Sequence, residues 1–235
     1  MTERGRSALY RDATQLRIGP SLLHWDGGGL TIDLAEVTAP LPSRLRGTVR
    51  VHPAALTNRS FALDQAGHHR WSPIAPVSRV DVALTSPALR WSGAGYLDSN
   101  WGARALEDDF VHWDWCRAPT PDGAAILYNA TRRTGGEQSL ALQVSRTGSV
   151  TDFAPPPRVS LPRTRWRVRR DTRADGPVAV LQTLEDAPFY SRSVIDTHLL
   201  GQPVKAVHES LEMDRFTAPW VQAMLPFKIP RRFGT

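Results

Sequence analysis

Apolar and polar positions alternate with a period of two through most of the chain. Leu30, Ile32 and Leu34 alternate with Thr31 and Asp33. That period puts one side-chain set on each face of an extended strand. Asp26-Gly27-Gly28-Gly29 precedes them and reads as a turn, so residues 21–25 pair with them as a hairpin. The pattern recurs at Val49 and Val51, at Val80, Val82 and Leu84, and at Leu89 and Trp91 after a Ser86-Pro87 turn. In residues 110–117, Val111, Trp113 and Trp115 alternate with His112, Asp114 and Cys116. Ala124–Ala130 and the set Leu140, Leu142 and Val144 predict another hairpin, with Thr134-Gly135-Gly136 at its tip. Residues 1–14 read as a short helical turn or a frayed end.

Pro155-Pro156-Pro157 and Pro162 mark a linker or a crossing between sheets. Further strands are expected at Trp166/Val168, Val178–Leu184, Ser191–Leu199 and Val204–Met213. Strands at roughly ten-residue spacing, with turns between, predict an all-β antiparallel barrel or sandwich. Two halves are expected, 1–154 and 155–235, the first carrying the chemistry. In small barrels of this kind the inward faces line a ligand cavity.

Composition narrows the partners. The formal net charge is +6, and Lys205 and Lys228 are the only lysines, so arginine carries nearly all the positive charge. The arginines are spread along the chain without a recognition helix, zinc or RNP signature, which argues against nucleic acid. The arginine excess reads either as the codon bias of a GC-rich genome or as attraction to an anionic lipid surface. The stretch from Phe216 to Arg232 adds Trp220, Phe227 and a basic end, and reads either as a terminal segment packed on the barrel or as an interfacial anchor. Cys116 is the single cysteine, which excludes an internal disulfide and a thiolate metal cluster. No apolar leader or run of 18 apolar residues is visible. These features predict a cytoplasmic protein held peripherally at a membrane. No phosphate loop, G-x-S-x-G elbow or helical His pair is present, and His68-His69 does not read as a metal site.

The most unusual window is Gly95-Tyr96-Leu97-Asp98-Ser99-Asn100-Trp101-Gly102. As a strand it turns Tyr96, Asp98 and Asn100 to one face and Leu97, Ser99 and Trp101 to the other. A carboxyl flanked by Tyr96 and Trp101 in an apolar cavity loses hydration, which disfavours its charged form. A retained proton is what acid chemistry on a greasy, electron-rich substrate requires. The residues alone leave a capping or hydrogen-bonded structural aspartate equally open.

This window, followed by Trp113-Asp114-Trp115, resembles the carotenoid 1,2-hydratase (hydroxyneurosporene synthase) family. His69-x-Trp71-Ser72-Pro73-Ile74, Thr183-Leu184-Glu185-Asp186-Ala187-Pro188-Phe189-Tyr190 and His208-Glu209-Ser210-Leu211 resemble it in the same order. The octapeptide is also similar to that of the wider lipocalin-like double-barrel group, which includes terpene and tocopherol cyclases and some pericyclases. The resemblance implies a lipocalin-like fold and addition of water across the terminal C1=C2 double bond of an acyclic carotenoid such as neurosporene or lycopene. No cofactor or metal is implied. The family's functional residues fall on His69, Trp71, Tyr96 and Asp98, with Asp98 as proton donor. Trp71 and Tyr96 would then face the tertiary cation, and His69 or the spent aspartate would take the proton of water. Asn100, Trp101, Trp113 and Trp115 are the expected substrate-binding set. Asp114, Glu185, Asp186, His208 and Glu209 are secondary candidates, expected to be solvated or paired at strand edges. Members of the family usually carry residues before the segment Met1-Thr2-Glu3-Arg4-Gly5, so a first half short of its early strands is expected. A cyclase or pericyclase, and a lipocalin-type carrier without turnover, are the competing functions.

Overall fold

The computed structural model describes residues 5–38 and 41–225. A single 3-10 turn, Arg6–Ala8, leads into β1 (Leu9–Arg11), β2 (Gln15–Ile18), β3 (Ser21–Trp25), β4 (Leu30–Val37) and β5 (Arg44–Pro53). The short β6 (Phe61–Ala62) precedes two long strands, β7 (His69–Ser86) and β8 (Ala88–Gly102). After α1 (Leu106–Asp109) come β9 (Phe110–Thr120), β10 (Gly123–Arg132), β11 (Glu137–Ser145), β12 (Val150–Asp152), β13 (Arg158–Leu161) and β14 (Arg170–Arg173). The described chain ends with β15 (Ala179–Asp186), β16 (Tyr190–Leu199), β17 (Gln202–Glu212), α2 (Met213–Phe216) and α3 (Pro219–Met224). The chain is therefore an antiparallel β protein, as the alternation predicts.

The turns follow from local chemistry. Between β3 and β4 the Asp26 carboxylate accepts the amides of Gly28 and Gly29, both at 2.9 Å, and Gly27 takes φ 89°. Only glycine adopts that conformation without steric cost. Gly135 and Gly136 supply the same freedom at the β10–β11 tip, with φ 89° and 81°. The predicted hairpins are present in register, with Leu23 opposite Ile32 and Tyr128 opposite Leu140.

One sheet runs β1-β2-β3-β4-β5-β7-β6, with β8 paired to β7. A second runs β12-β11-β10-β9-β17-β16-β15, and β13 with β14 form a small third sheet. The Pro155–Pro157 segment leads from β12 in the second sheet to β13 in the third, so it is a crossing between sheets. The chain divides into two compact units. The first takes in residues up to Leu56 and Ala75–Leu97, the second Thr57–Ile74 and Asp98–Ala223.

The second unit's core lies on one face of the seven-stranded sheet. Cys116, Ala118, Leu127, Ile195 and Leu199 pack there with Leu161 of β13. Burial pushes the Cys116 thiol up to about 12, so it is a packing residue and not a nucleophile. The opposite face of the same strands carries Trp113, Trp115, Tyr128 and Glu209, because successive side chains alternate.

Some segments are sharper in the structure than in the sequence, and one differs. Trp166 and Val168 are not in a strand: Arg167 sits at φ 62° in the left-handed region and the chain turns there, with Val168 fully buried. Residues 213–224 fold into α2 and α3, where Val221 is buried and Trp220 stacks on Trp166 at 6.2 Å. Trp220 remains 48% exposed. The rest of the expected anchor, residues 226–232, lies outside the described residues, as do Met1–Arg4.

Candidate active site

β8 delivers the octapeptide as the strand its alternation predicts, and the second unit assembles the site around its end. The Trp71 indole N–H donates to Asp98 Oδ2 at 2.8 Å. Trp71 has no exposed surface, and its ring packs against Tyr128 at 5.2 Å and Phe61 at 5.7 Å. Trp113 stacks on Tyr128 at 5.6 Å with only 12° between the planes. The Tyr128 hydroxyl points to Asn100 Oδ1 at 3.5 Å. Burial pushes the Tyr128 phenol well above its ordinary value, so it stays neutral. The result is a carboxyl group held by an indole donor beside a run of packed aromatic rings.

His69 occupies a neighbouring position with its own partner. It opens β7, is 2% exposed, and its Nε2 meets Asp109 Oδ2 at 2.8 Å. Its ring lies edge-on to Phe110 at 5.0 Å. The Asp64 carboxylate accepts the amides of His68 and His69 at 3.1 and 2.7 Å. Partial burial works to raise Asp64, but those two hydrogen bonds and the nearby imidazoles hold it below the ordinary carboxylate range. Gly102 is needed for close approach: a Cβ there would come within 2.7 Å of His69 Nδ1 and 2.9 Å of the His68 carbonyl. Gly95, at the other end of the octapeptide, is likewise closed in by Val80.

The sequence-predicted residues therefore separate into groups. Trp71, Asp98, Asn100 and Trp113 meet around Tyr128. Trp115 is buried directly opposite Tyr128 in the β9–β10 register. His69 is paired with Asp109. Tyr96 lies two positions before Asp98 on β8, half-buried, within the first unit. Trp101 is 48% exposed, so the ring at the acid's oxygen is Trp71's. Tyr128, Phe61 and Asp109 were not expected. Tyr128 sits in the largely apolar run Ala124–Ala130, where its phenol and the neighbouring Asn129 are the polar departures that could have marked it.

Among the secondary candidates, Asp114 and His208 are not at solvated edges but fully buried on the core face of the sheet. His112 Nε2 contacts Asp114 Oδ2 at 3.0 Å, Ser210 donates its hydroxyl to Asp114 Oδ1, and His208 Nε2 reaches the Asp171 carbonyl at 2.8 Å. Glu209 is ion-paired with Arg192 at 2.8 Å, and Asp186 accepts the Arg165 amide at 2.9 Å. Among the described residues no group of three or more His, Cys, Asp or Glu side chains is arranged to hold a metal ion, and no helix is long and apolar enough to cross a membrane.

Fold and site together define a class: an antiparallel β protein presenting a carboxyl group to a wall of aromatic rings. The family follows from sequence comparison. The family described as "Carotenoid hydratase CrtC" matches residues 1–235, and the chain belongs to it. It is 56% identical over 237 residues to a protein of Thiocapsa roseopersicina named "Acyclic carotenoid 1,2-hydratase", covering all of this chain and 58% of that one. A protein of the same name from Rubrivivax gelatinosus is 45% identical over 99% of this chain and 58% of its own length. One from Cereibacter sphaeroides is 42% identical, over 100% of this chain and 85% of that protein. The chain thus spans a little over half the length of the first two relatives. A solved structure titled "Crystal structure of CghA with Sch210972" aligns over 87% of this chain and 69% of its own, at 10% identity and a TM-score of 0.48.

Proposed function

We propose that this chain hydrates the terminal C1=C2 double bond of an acyclic carotenoid, such as neurosporene or lycopene, without a redox or organic cofactor. The observation that carries the reading is the Trp71–Asp98 hydrogen bond inside a cluster of aromatic rings. Asp98 donates its proton to C2, leaving a tertiary cation at C1. As the proton departs, Asp98 gains negative charge and the indole N–H bond to it becomes charge-assisted. That interaction is stronger in the transition state than in the ground state, which is the requirement for catalysis. The π faces of Trp71, Tyr128 and Trp113 are electron-rich without being nucleophiles. Each desolvated ring facing the cation contributes about 2 kcal/mol. Water then captures C1 as the tertiary alcohol. His69, fixed by Asp109, acts as a positioning residue beside the acid. Trp115 lines the hydrocarbon, and Asn100 orients Tyr128.

An apolar substrate of this size resides in a bilayer, and the proposed site of action is the membrane surface, with the protein attached peripherally. The name of the relatives supports the substrate class. Coexpression of the chain with a lycopene supply tests the reading. Hydration adds the mass of water, whereas cyclisation leaves mass unchanged. The Asp98→Asn variant should fold and yield no hydrated product; full activity in that variant sinks the mechanism.

A further inference from the structure

The seven-stranded sheet carries a second carboxylate in register with the aromatic wall. Arg192 of β16 lies directly opposite Glu209 of β17. Glu209 lies opposite Trp115 of β9, and Trp115 opposite Tyr128 of β10. Directly opposed residues of antiparallel strands share a face. Arg192, Glu209, Trp115 and Tyr128 therefore form one row across four strands. The Arg192 Nε–H donates to Glu209 Oε1 at 2.8 Å, and the same guanidinium lies over the Tyr190 ring at 5.8 Å. The Glu209 side chain is only 17% exposed.

This polar group needs a purpose that the hydrocarbon does not supply. An acyclic carotene offers no hydrogen-bonding atom, so a carboxylate, a guanidinium and a phenol beside its wall have nothing on it to bind. The other reactant, water, does hydrogen-bond, and it must lose a proton after attacking the cation. Resting on the hydration reading above, we propose that Glu209, held by Arg192, is the catalytic base that receives this proton. Asp98 loses a proton to C2, the oxygen of water bonds to C1, and the oxonium O–H breaks with its proton passing to Glu209. The net result is one proton moved from Asp98 to Glu209, which solvent exchange reverses between turnovers.

Two further observations agree with the placement. Glu209 lies two strands from Tyr128 on the same face, and Asp98 is held by Trp71, whose ring packs on Tyr128. Tyr190 is kept protonated by burial first and then by the charge and hydrogen bonding of Glu209, so it is available as a donor there. His69 Nε2, the other candidate base, is engaged by Asp109.

The test uses the full chain, lycopene and D2O buffer, with the Asp98→Asn and Glu209→Gln variants. A lost general base costs about 10²-fold or more in kcat. Glu209→Gln should show that loss with little change in KM. It should also build up deuterium in recovered lycopene, because the cation forms, waits and returns a proton. Asp98→Asn should give neither product nor deuterium. Glu209→Asp should recover part of the rate. If Glu209→Gln turns over at the unmodified rate, the inference is overturned. It is also overturned if Glu209→Gln and Arg192→Gln lose thermal stability and activity in step without deuterium uptake, since that is the behaviour of a structural ion pair. An unmodified chain that adds no water to lycopene sinks the hydration reading itself, and this inference with it.

Discussion

Trp71 and Asp98 stand 27 residues apart in the chain, yet the indole N–H donates to the carboxyl at 2.8 Å. The bond joins two adjacent long strands and gives the acid a fixed oxygen and a fixed partner. Trp71→Phe keeps an aromatic ring in place and removes the donor, at the cost of some buried volume. Hydrogen bonds to charged groups are worth about 1.5–3 kcal/mol, so turnover should fall about 10- to 160-fold. Steady-state kinetics with the fold monitored by circular dichroism checks this. Unchanged turnover would mean that the indole only fills space.

Tyr128 distinguishes ring from hydroxyl. Its ring packs on both Trp71 and Trp113, while its hydroxyl makes one long contact to Asn100. Tyr128→Phe should retain activity within a few-fold. Tyr128→Leu removes a π face worth about 2 kcal/mol toward a cation and should lower turnover about 30-fold. Equal losses in the two variants would assign the role to the hydroxyl.

Gly102 should tolerate no Cβ. In Gly102→Ala the new atom meets His69 Nδ1 at 2.7 Å and the His68 carbonyl at 2.9 Å. Overpacking of this kind costs about 1–3 kcal/mol, read as a lower Tm. Because the displaced ring is His69, its contact with Asp109 should loosen as well. That change is visible as an altered imidazole NMR signal, and an unmoved Tm and signal would contradict the crowding.

Stability should fall on acidification through His208. Burial holds its imidazole neutral below the ordinary value, with Arg170 acting in the same direction and Asp114 and the Asp171 carbonyl opposing. The unfolded chain takes up that proton near about pH 6.5, while the folded chain resists it to lower pH. The stabilising contribution is therefore complete above the unfolded value and is lost as pH falls toward the folded one. Thermal melts from pH 7.5 to 5 should show a declining Tm, with a shallower slope in His208→Gln. An identical slope in the variant would place the titration elsewhere.

Much of the fold was legible because strand formation and turn chemistry are local. The alternation of Leu30, Ile32 and Leu34, the Asp26–Gly29 turn and the Gly135-Gly136 tip each state their own geometry. Trp166 and Val168 misled because two bulky residues with one between mimic a strand, whereas Arg167 turns the chain there to seat Val168 in the core. The octapeptide announced Asp98 through its concentration of functional groups. It could not announce Tyr128, which lies in a largely apolar run, or Asp109, which lies in the short helix α1.

By itself the sequence determined most of the strands and turns, the face each strand side chain takes and the family to which the chain belongs. Periodicity, glycine placement and ordered motifs are written in consecutive residues. Only the tertiary structure decided which faces meet. Trp71 rather than Trp101 holds the acid, Asp109 claims His69, and Trp113 and Asp114, adjacent in sequence, go to opposite faces of one sheet with different neighbours. The physical reason is that a strand's period sets direction, while its partners depend on register and on packing between segments tens of residues apart.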